Sequence, residues 1–122
     1  MPKKGIDGEN TAAAFLEEKG MRILERNFRH ARGEVDIIAM DDQTLVFAEV
    51  KTWSVYGIDS LEYAIDKKKQ QKIIETAKYF LSTNRKYKYM AIRFDVLFIS
   101  LGVTQGVTQG ITHLASAFTE GV

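Results

Sequence analysis

The sequence predicts an α/β domain of three layers, a mixed central sheet flanked by helices, and three observations carry that prediction. GEVDIIAM and LVFAEVK are rich in β-branched and aromatic residues and are separated by the turn cluster DDQT, which reads as a β-hairpin. Two stretches repeat apolar residues at helical spacing, one before this hairpin and one after it. A further strand-like run, IRFDVLFIS, follows the second helix. The order α-β-β-β-α-β, with a last strand expected near the end, suits helices packed on both faces of one sheet.

Taken in order, residues 1–6 read as a frayed arm and Asp7 as the cap of a helix running to about Lys19, with Gly20 as its left-handed exit. Glu9, Ala12, Ala13 and Leu16 form the stripe expected to face the sheet. The first strand is expected over 21–28, with Ile23 and Phe28 in the core, and RHARG leads into the hairpin. TWSVYGIDS reads as a loop in which Trp53 and Tyr56 close over a core edge, the alternative being stacking on splayed bases. LEYAI adds a short extended piece. Asp66 then caps the helix KKKQQKIIETAKYFLS, whose buried stripe is Ile73, Ile74, Ala77 and Leu81, with Gln70 aligned one turn earlier. TNRKYKYM is a polar connection. In the next strand Arg93 and Asp95 share a face and pair with each other. The repeated GVTQ is too short for a solenoid and reads as a loop or hairpin, after which ITHLASAF returns to pack through Leu114 and Phe118.

The hairpin holds the chemistry. With a turn centred on Asp42 and Gln43, Asp36 faces Glu49 and Glu34 faces Lys51, all on one face because strand side chains alternate. The other face carries Val35, Ile37 and Ala39 against Val46, Ala48 and Val50. Opposed carboxylates have Cβ atoms only ~4.5–5.5 Å apart and destabilise a sheet unless something positive joins them. A divalent cation meets that need, and Mg²⁺ takes one or two carboxylates with waters and a substrate phosphate. Lys51, two residues beyond Glu49, is in reach of a scissile phosphate or attacking water. The competing reading is a structural ion network in which Lys51 offsets Glu34 and Asp36 or Glu49 is held protonated or turned to solvent.

Composition narrows the field. A chain of 122 residues fits one domain, 1–122, and its apolar content of 45% is ordinary for a globular protein. The absence of cysteine excludes disulfides and thiolate metal sites and agrees with a reducing compartment. His30 and His113 are too few for a zinc site, and each reads as a surface or edge residue. No triad order, P-loop or dinucleotide fingerprint appears. The start MPKKGIDGEN has no hydrophobic signal region and no run could span a bilayer, so cytoplasm is the expectation and a membrane partner is not. A net charge of +1 does not announce nucleic acid by itself. The basic residues are clustered, however: Arg29 and Arg32 suit phosphate, and Lys67, Lys68 and Lys69 crowd a helix N-terminus that attracts anions. The plainer reading of these cations is a solvated face.

GENTAAAFLEEKG, ILERNFR, GEVDIIA, LVFAEVKT, AIDKKKQQKIIETAKYFL, RFDV and ITHLASAF, in this order, resemble the YraN-like family within the PD-(D/E)xK nucleases of restriction-endonuclease-like fold. The resemblance implies that fold and a Mg²⁺- or Mn²⁺-dependent nuclease acting on DNA, branched DNA included. Asp36 and Glu49, joined by the Val50 carbonyl, would bind the metal. Lys51 would act on the water and the phosphate. Glu9 would be an additional carboxylate, as in resolvase-like members, its alternative role being a first-turn acid favoured by the helix dipole. Glu34 would assist. Gln70, in the K-Q element, would be an auxiliary. Resolvase-like relatives act as dimers, so a homodimer is compatible. Two departures stand out: Val35 replaces the proline of the motif's name, and Trp53 replaces a basic residue. The same resemblance allows a nucleic-acid-binding module that does not cut, or a protein-interaction factor whose acidic cluster is structural.

Overall fold

A computed structural model describes residues 2–53, 65–100 and 110–120, with side chains described except at 2–7 and 53. The expectations for the rings of Trp53 and Tyr56, for residues 61–64 of LEYAI and for the GVTQ repeat lie outside these residues; Thr52 and Trp53, expected in a loop, end a strand, and Ile65 is buried in the core. The elements are α1 (Pro2–Glu18), β1 (Arg22–His30), β2 (Gly33–Asp41), β3 (Thr44–Trp53), α2 (Lys67–Thr83), a 3-10 turn (Arg85–Tyr87), β4 (Ala91–Ser100) and β5 (Gly110–Phe118). The strands lie in the sheet in sequence order. β1–β2, β2–β3 and β4–β5 are antiparallel, whereas β3–β4 is parallel. A parallel pair cannot be joined by a tight turn, so the segment containing α2 makes the crossover.

Two cores separated by the sheet make this the expected three-layer α/β architecture. Under α1, Ala12, Ala13 and Leu16 pack on Ile37, Ala39, Val46, Ala48, Leu97 and Ile99. Under α2, Ile73, Ile74, Ala77 and Phe80 pack on Ile38, Leu45, Phe47, Phe94, Val96 and Phe98. Period-two alternation along β3 divides Leu45 and Phe47 from Val46 and Ala48, so one strand serves both cores. Phe80 locks α2 down through edge-on contacts with Phe28 at 5.2 Å and Phe47 at 5.9 Å between ring centroids. Each such pair adds ~0.5–1.5 kcal/mol beyond area burial.

The termini of the elements follow local chemistry. Asp66 caps α2, its side chain accepting the Lys69 N–H at 2.8 Å, and Gly20 leaves α1 at φ +96°. The hairpin turn places Asp42 at φ +57°, and the β2–β3 register runs from Asp41–Thr44 to Ile37–Ala48, as the sequence predicts. Among the described residues no helix is long and apolar enough to cross a membrane.

Several expectations are corrected. α1 starts at Pro2, where a proline's fixed φ suits a first helical residue, so Asp7 lies inside the helix and does not cap it. β1 extends to His30. On α2 the buried set is Ile73, Ile74, Thr76, Ala77 and Phe80, with Leu81 only partly covered. Leu114 is 36% exposed on the outermost strand, where β5 has a neighbour on one side only, while Phe118 is buried as expected. Val35 belongs to the core under α2 and not with Ile37 and Ala39 under α1, so alternation breaks at Asp36.

His113 is the largest correction. Its side chain is only 6% exposed, and Nε2 lies 2.7 Å from Asp95, which is wholly buried. Asp95 also accepts from Arg93 Nε at 3.1 Å and the Ser116 N–H at 3.0 Å, and Arg93 reaches Asp41 at 3.0 Å. Lys19 Nζ is 3.0 Å from His113 Nδ1. An ammonium can only donate, so the geometry assigns the neutral ring's proton to Nε2, facing Asp95. This network ties β5, β4, the hairpin turn and the end of α1 together.

Gly33 fits β2 against α2: a Cβ there would overlap the Thr76 hydroxyl and come 2.8 Å from the Lys72 carbonyl oxygen. Gly33→Ala is expected to destabilise the fold by ~1–3 kcal/mol, as overpacking does, read from the urea midpoint. Removing the Thr76 hydroxyl as well, in Gly33→Ala/Thr76→Ala, restores only part of the loss, because the backbone contact remains. Unchanged stability in Gly33→Ala would contradict the tight approach.

Candidate active site

The site forms where the β2–β3 ladder stops. Beyond Ile37–Ala48 the next residue of β2, Asp36, uses its side chain: Oδ2 accepts the Val50 N–H at 2.8 Å. This bond draws the carboxyl of β2 to β3 and leaves it beside Glu49. Both acids are nearly covered, Asp36 at 8% and Glu49 at 5% exposure. Burial of this kind disfavours charge. It pushes the Asp36 carboxyl up to about 7, the negative Glu49 adding to the effect and Glu34 contributing less, while the Val50 amide pulls the other way.

The cation at this pair comes from α2. Lys69 Nζ lies 3.1 Å from Glu49 Oε2. Its burial works against the charged form, but Glu49, Asp36 and Glu34 together hold the ammonium above its usual range. Lys69 is delivered by the cap of α2, since Asp66 binds its backbone N–H. Gln70 serves the same helix entry, donating from Nε2 to the Ile65 carbonyl at 3.1 Å, and that contact is with backbone, not with the acids. Lys67 and Lys68 stand exposed on the first turn.

The remaining predicted residues spread around this centre. Glu34 does not pair with Lys51 across the ladder; it stands in register with Arg29 of β1 and forms an ion pair with it at 3.2 Å. The reason is that the β2–β3 ladder has already ended at Ile37. Glu9 on α1 meets Arg26 at 4.0 Å. Its carboxyl is raised by burial and by the negative Asp36, against the pull of Asn27 and Arg26. Lys51 lies in register with Phe98 on β4, as Glu49 does with Val96. Strand alternation keeps Lys51 on Glu49's face of the sheet, yet it does not line the cleft that holds the acids. That cleft, 190 Å³ in volume, is lined by Glu34, Asp36, Glu49 and Lys69 together with Arg32 and Lys72. Sequence reasoning placed Lys69 on the nucleic-acid surface and missed it as the partner of Glu49. Its position one turn into a capped helix was the available signal.

Whether these residues suit a divalent ion is decided by their donors. Among the described residues no three Asp, Glu or His side chains converge on one point, so the wider set with Glu9 and Glu34 is not assembled as ligands. Asp36 and Glu49 are assembled. One lysine cannot neutralise two buried carboxylates, and burial, with the neighbouring Glu49, raises the Asp36 carboxyl. Mg²⁺ requires no more than one or two protein carboxylates, completing its shell with water and phosphate oxygen. The pair therefore fits such an ion. The structure adds that Val50 contributes its N–H to fixing Asp36.

The electrostatics sets a pH dependence. The folded-state carboxyl of Asp36 titrates above its unfolded value, so its neutral form's contribution is complete below the unfolded value and is lost as pH rises through about 7. Asp36→Asn keeps an oxygen for the Val50 N–H and removes the charge. Urea unfolding at pH 5 and pH 8.5 is expected to show the parent weakening towards the alkaline value and Asp36→Asn weakening less, with the variant the more stable of the two at pH 8.5. A variant that loses stability at pH 8.5 as much as the parent does would contradict this account.

A model of the Uncharacterised protein family UPF0102 matches residues 8–99, which include every acid of the cleft. A UPF0102 protein of Treponema denticola is 45% identical, the match covering 97% of this chain and 96% of that protein. One from Treponema pallidum (strain Nichols) is 42% identical with 98% of each covered, and one from Persephonella marina is 46% identical over 79% of this chain and 82% of its own length. With the family pattern spanning the helix, hairpin and crossover that build the cleft, the chain belongs to the UPF0102 family, the YraN-like family that its motifs resemble.

Proposed function

We propose that the protein is a metal-dependent nuclease that hydrolyses phosphodiester bonds in DNA, branched DNA included. The observation that carries this reading is the buried Asp36–Glu49 pair, short of positive charge, opening into a cleft lined by Arg32, Lys69 and Lys72. Carboxylates so placed are costly to a fold unless a cation joins them. A cleft with cations around that centre suits a phosphate whose own ligand is the same ion. The resemblance to PD-(D/E)xK nucleases supports the same chemistry.

Mg²⁺ or Mn²⁺ held by Asp36 and Glu49 would polarise a phosphoryl oxygen and lower the pKa of bound water. The chain's residues do the rest. The Val50 N–H fixes one oxygen of Asp36 and turns the carboxyl towards Glu49. Lys69 pairs with Glu49 at 3.1 Å and orients its carboxyl. Arg32 and Lys72 bind the substrate's phosphates at the cleft, the guanidinium by its planar fork and the ammonium as a point charge. Lys51 stands on Glu49's face of the sheet outside the cleft lining, and its part, orienting the attacking water and stabilising charge on the phosphate, rests on the resemblance.

A second reading, a nucleic-acid-binding module that does not cut, is favoured by one observation. Lys69 already occupies Glu49 at 3.1 Å, so the pair is half neutralised from within. Labelled duplex, single-stranded and junction DNA incubated with Mg²⁺ or Mn²⁺ separates the two. The nuclease reading expects products from at least one substrate, none with Glu49→Ala, and a rate about 10²–10⁴-fold lower with Lys51→Ala. Salt-dependent binding with no products at any metal concentration selects the second reading. Equal cleavage by parent and Glu49→Ala refutes the first.

A further inference from the structure

The acid-bearing cleft continues into a larger cavity. That cavity, 460 Å³, shares Arg32, Gly33 and Lys72 with it, so the two form one groove along a single flank of α2. On the helix side the groove passes from Lys69 to Lys72, Thr76 and Tyr79, residues that fall on one face at helical spacing. From Lys69 to Tyr79 the axis advances ~15 Å at the helical rise.

At the far end stands a ring platform. His30 and Tyr79 stack with centroids 3.5 Å apart and planes 5° from parallel. Tyr79 stacks in turn on Phe28, at 6.2 Å, and Phe28 is anchored against Phe80 of the core. The column therefore begins in the core and ends in solvent, with His30 exposed as its last ring. Such a platform is rigid before anything binds, which lowers the ordering cost of a further flat ring. Charge points the same way. Arg32 and Lys72 form no ion pair with any described residue, in contrast to Arg29 and Lys69, which are taken by Glu34 and Glu49. Among the described residues the one acid lining this cavity, Glu75, accepts from Gln71 Nε2 at 3.4 Å.

We propose that this groove seats an unpaired nucleotide strand running from the cleavage centre, its phosphates on Arg32 and Lys72 and a base on the outer face of His30. A base inside a duplex has both faces covered by its neighbours and cannot offer one to His30. Away from the duplex ends only a splayed or single-stranded base can, and stacking of that kind tolerates any sequence. The inference rests on the nuclease reading and deepens it, naming the substrate class as duplex DNA with a single-stranded flank.

The test compares the binding of a blunt labelled duplex with that of the same duplex carrying a short unpaired overhang, by fluorescence anisotropy without divalent ions. The parent is expected to favour the overhang by roughly fivefold to a hundredfold, the range of one base–aromatic stack. His30→Ala brings the ratio of the two affinities close to one, and His30→Phe, which keeps a flat ring, restores it. A parent ratio of one, or a ratio that survives His30→Ala, overturns the groove assignment; metal-dependent cleavage of the blunt duplex would still leave the nuclease in place. Failure to bind either DNA at low salt overturns the nucleic-acid reading along with the groove.

Discussion

The hydrogen bond from the Val50 N–H to Asp36 is the contact on which the site depends. It replaces a rung of the β2–β3 ladder with a side chain, and so brings a second carboxyl to Glu49 inside a nearly dry part of the molecule. Ordinary sheet pairing would not tolerate this arrangement, since like charges opposed on a sheet repel. The fold accommodates it in two ways. Lys69 supplies one positive charge from the neighbouring helix, and Asp36 retains its proton up to about pH 7. The centre thereby brings two acids to one lysine among the described residues.

The surrounding architecture serves that centre. β3 runs between two cores, so Glu49 projects from a strand that cannot shift without disturbing both. α2 contributes its capped first turn to the acids, its apolar stripe to the core, and a third flank to the groove. Gly33 lets that helix approach β2 closely enough for Lys69 and Lys72 to share a cleft with Asp36. On the opposite face of the sheet, the buried Asp95 gathers Arg93, His113 and Ser116, joining the outermost strand β5 to the sheet through charge-assisted bonds. Ionic groups thus occupy both faces of the sheet in different roles. Asp95 is surrounded by donors, whereas Asp36 receives one amide and faces another acid.

That contrast separates a structural ion network from a candidate centre by local chemistry alone. A buried carboxylate with its acceptor sites filled contributes to holding strands together. A buried carboxylate left with a negative neighbour raises its own pKa and waits for a proton or a cation. The groove leading away from Asp36 and Glu49 carries the same distinction outwards: Arg29 is engaged by Glu34, while Arg32 and Lys72 form no ion pair with a described residue.

The sequence by itself determined what depends on local periodicity and turn chemistry. The hairpin register followed from the turn at Asp42 and Gln43, the stripe Ala12, Ala13 and Leu16 from helical spacing, the start of α2 from Asp66, and the meeting of Asp36 with Glu49 from all of the hairpin's signals together. Only the tertiary structure decided which cation joins them. Lys51 is nearest along the strand, but Lys69 reaches Glu49 because α2 packs across that end of the sheet, a relation between segments that no spacing encodes. Val35 left its predicted face for a similar reason, and His113 is covered where the sequence suggested a surface or edge residue: each answers to what packs against it, and local pattern knows only the strand it is on.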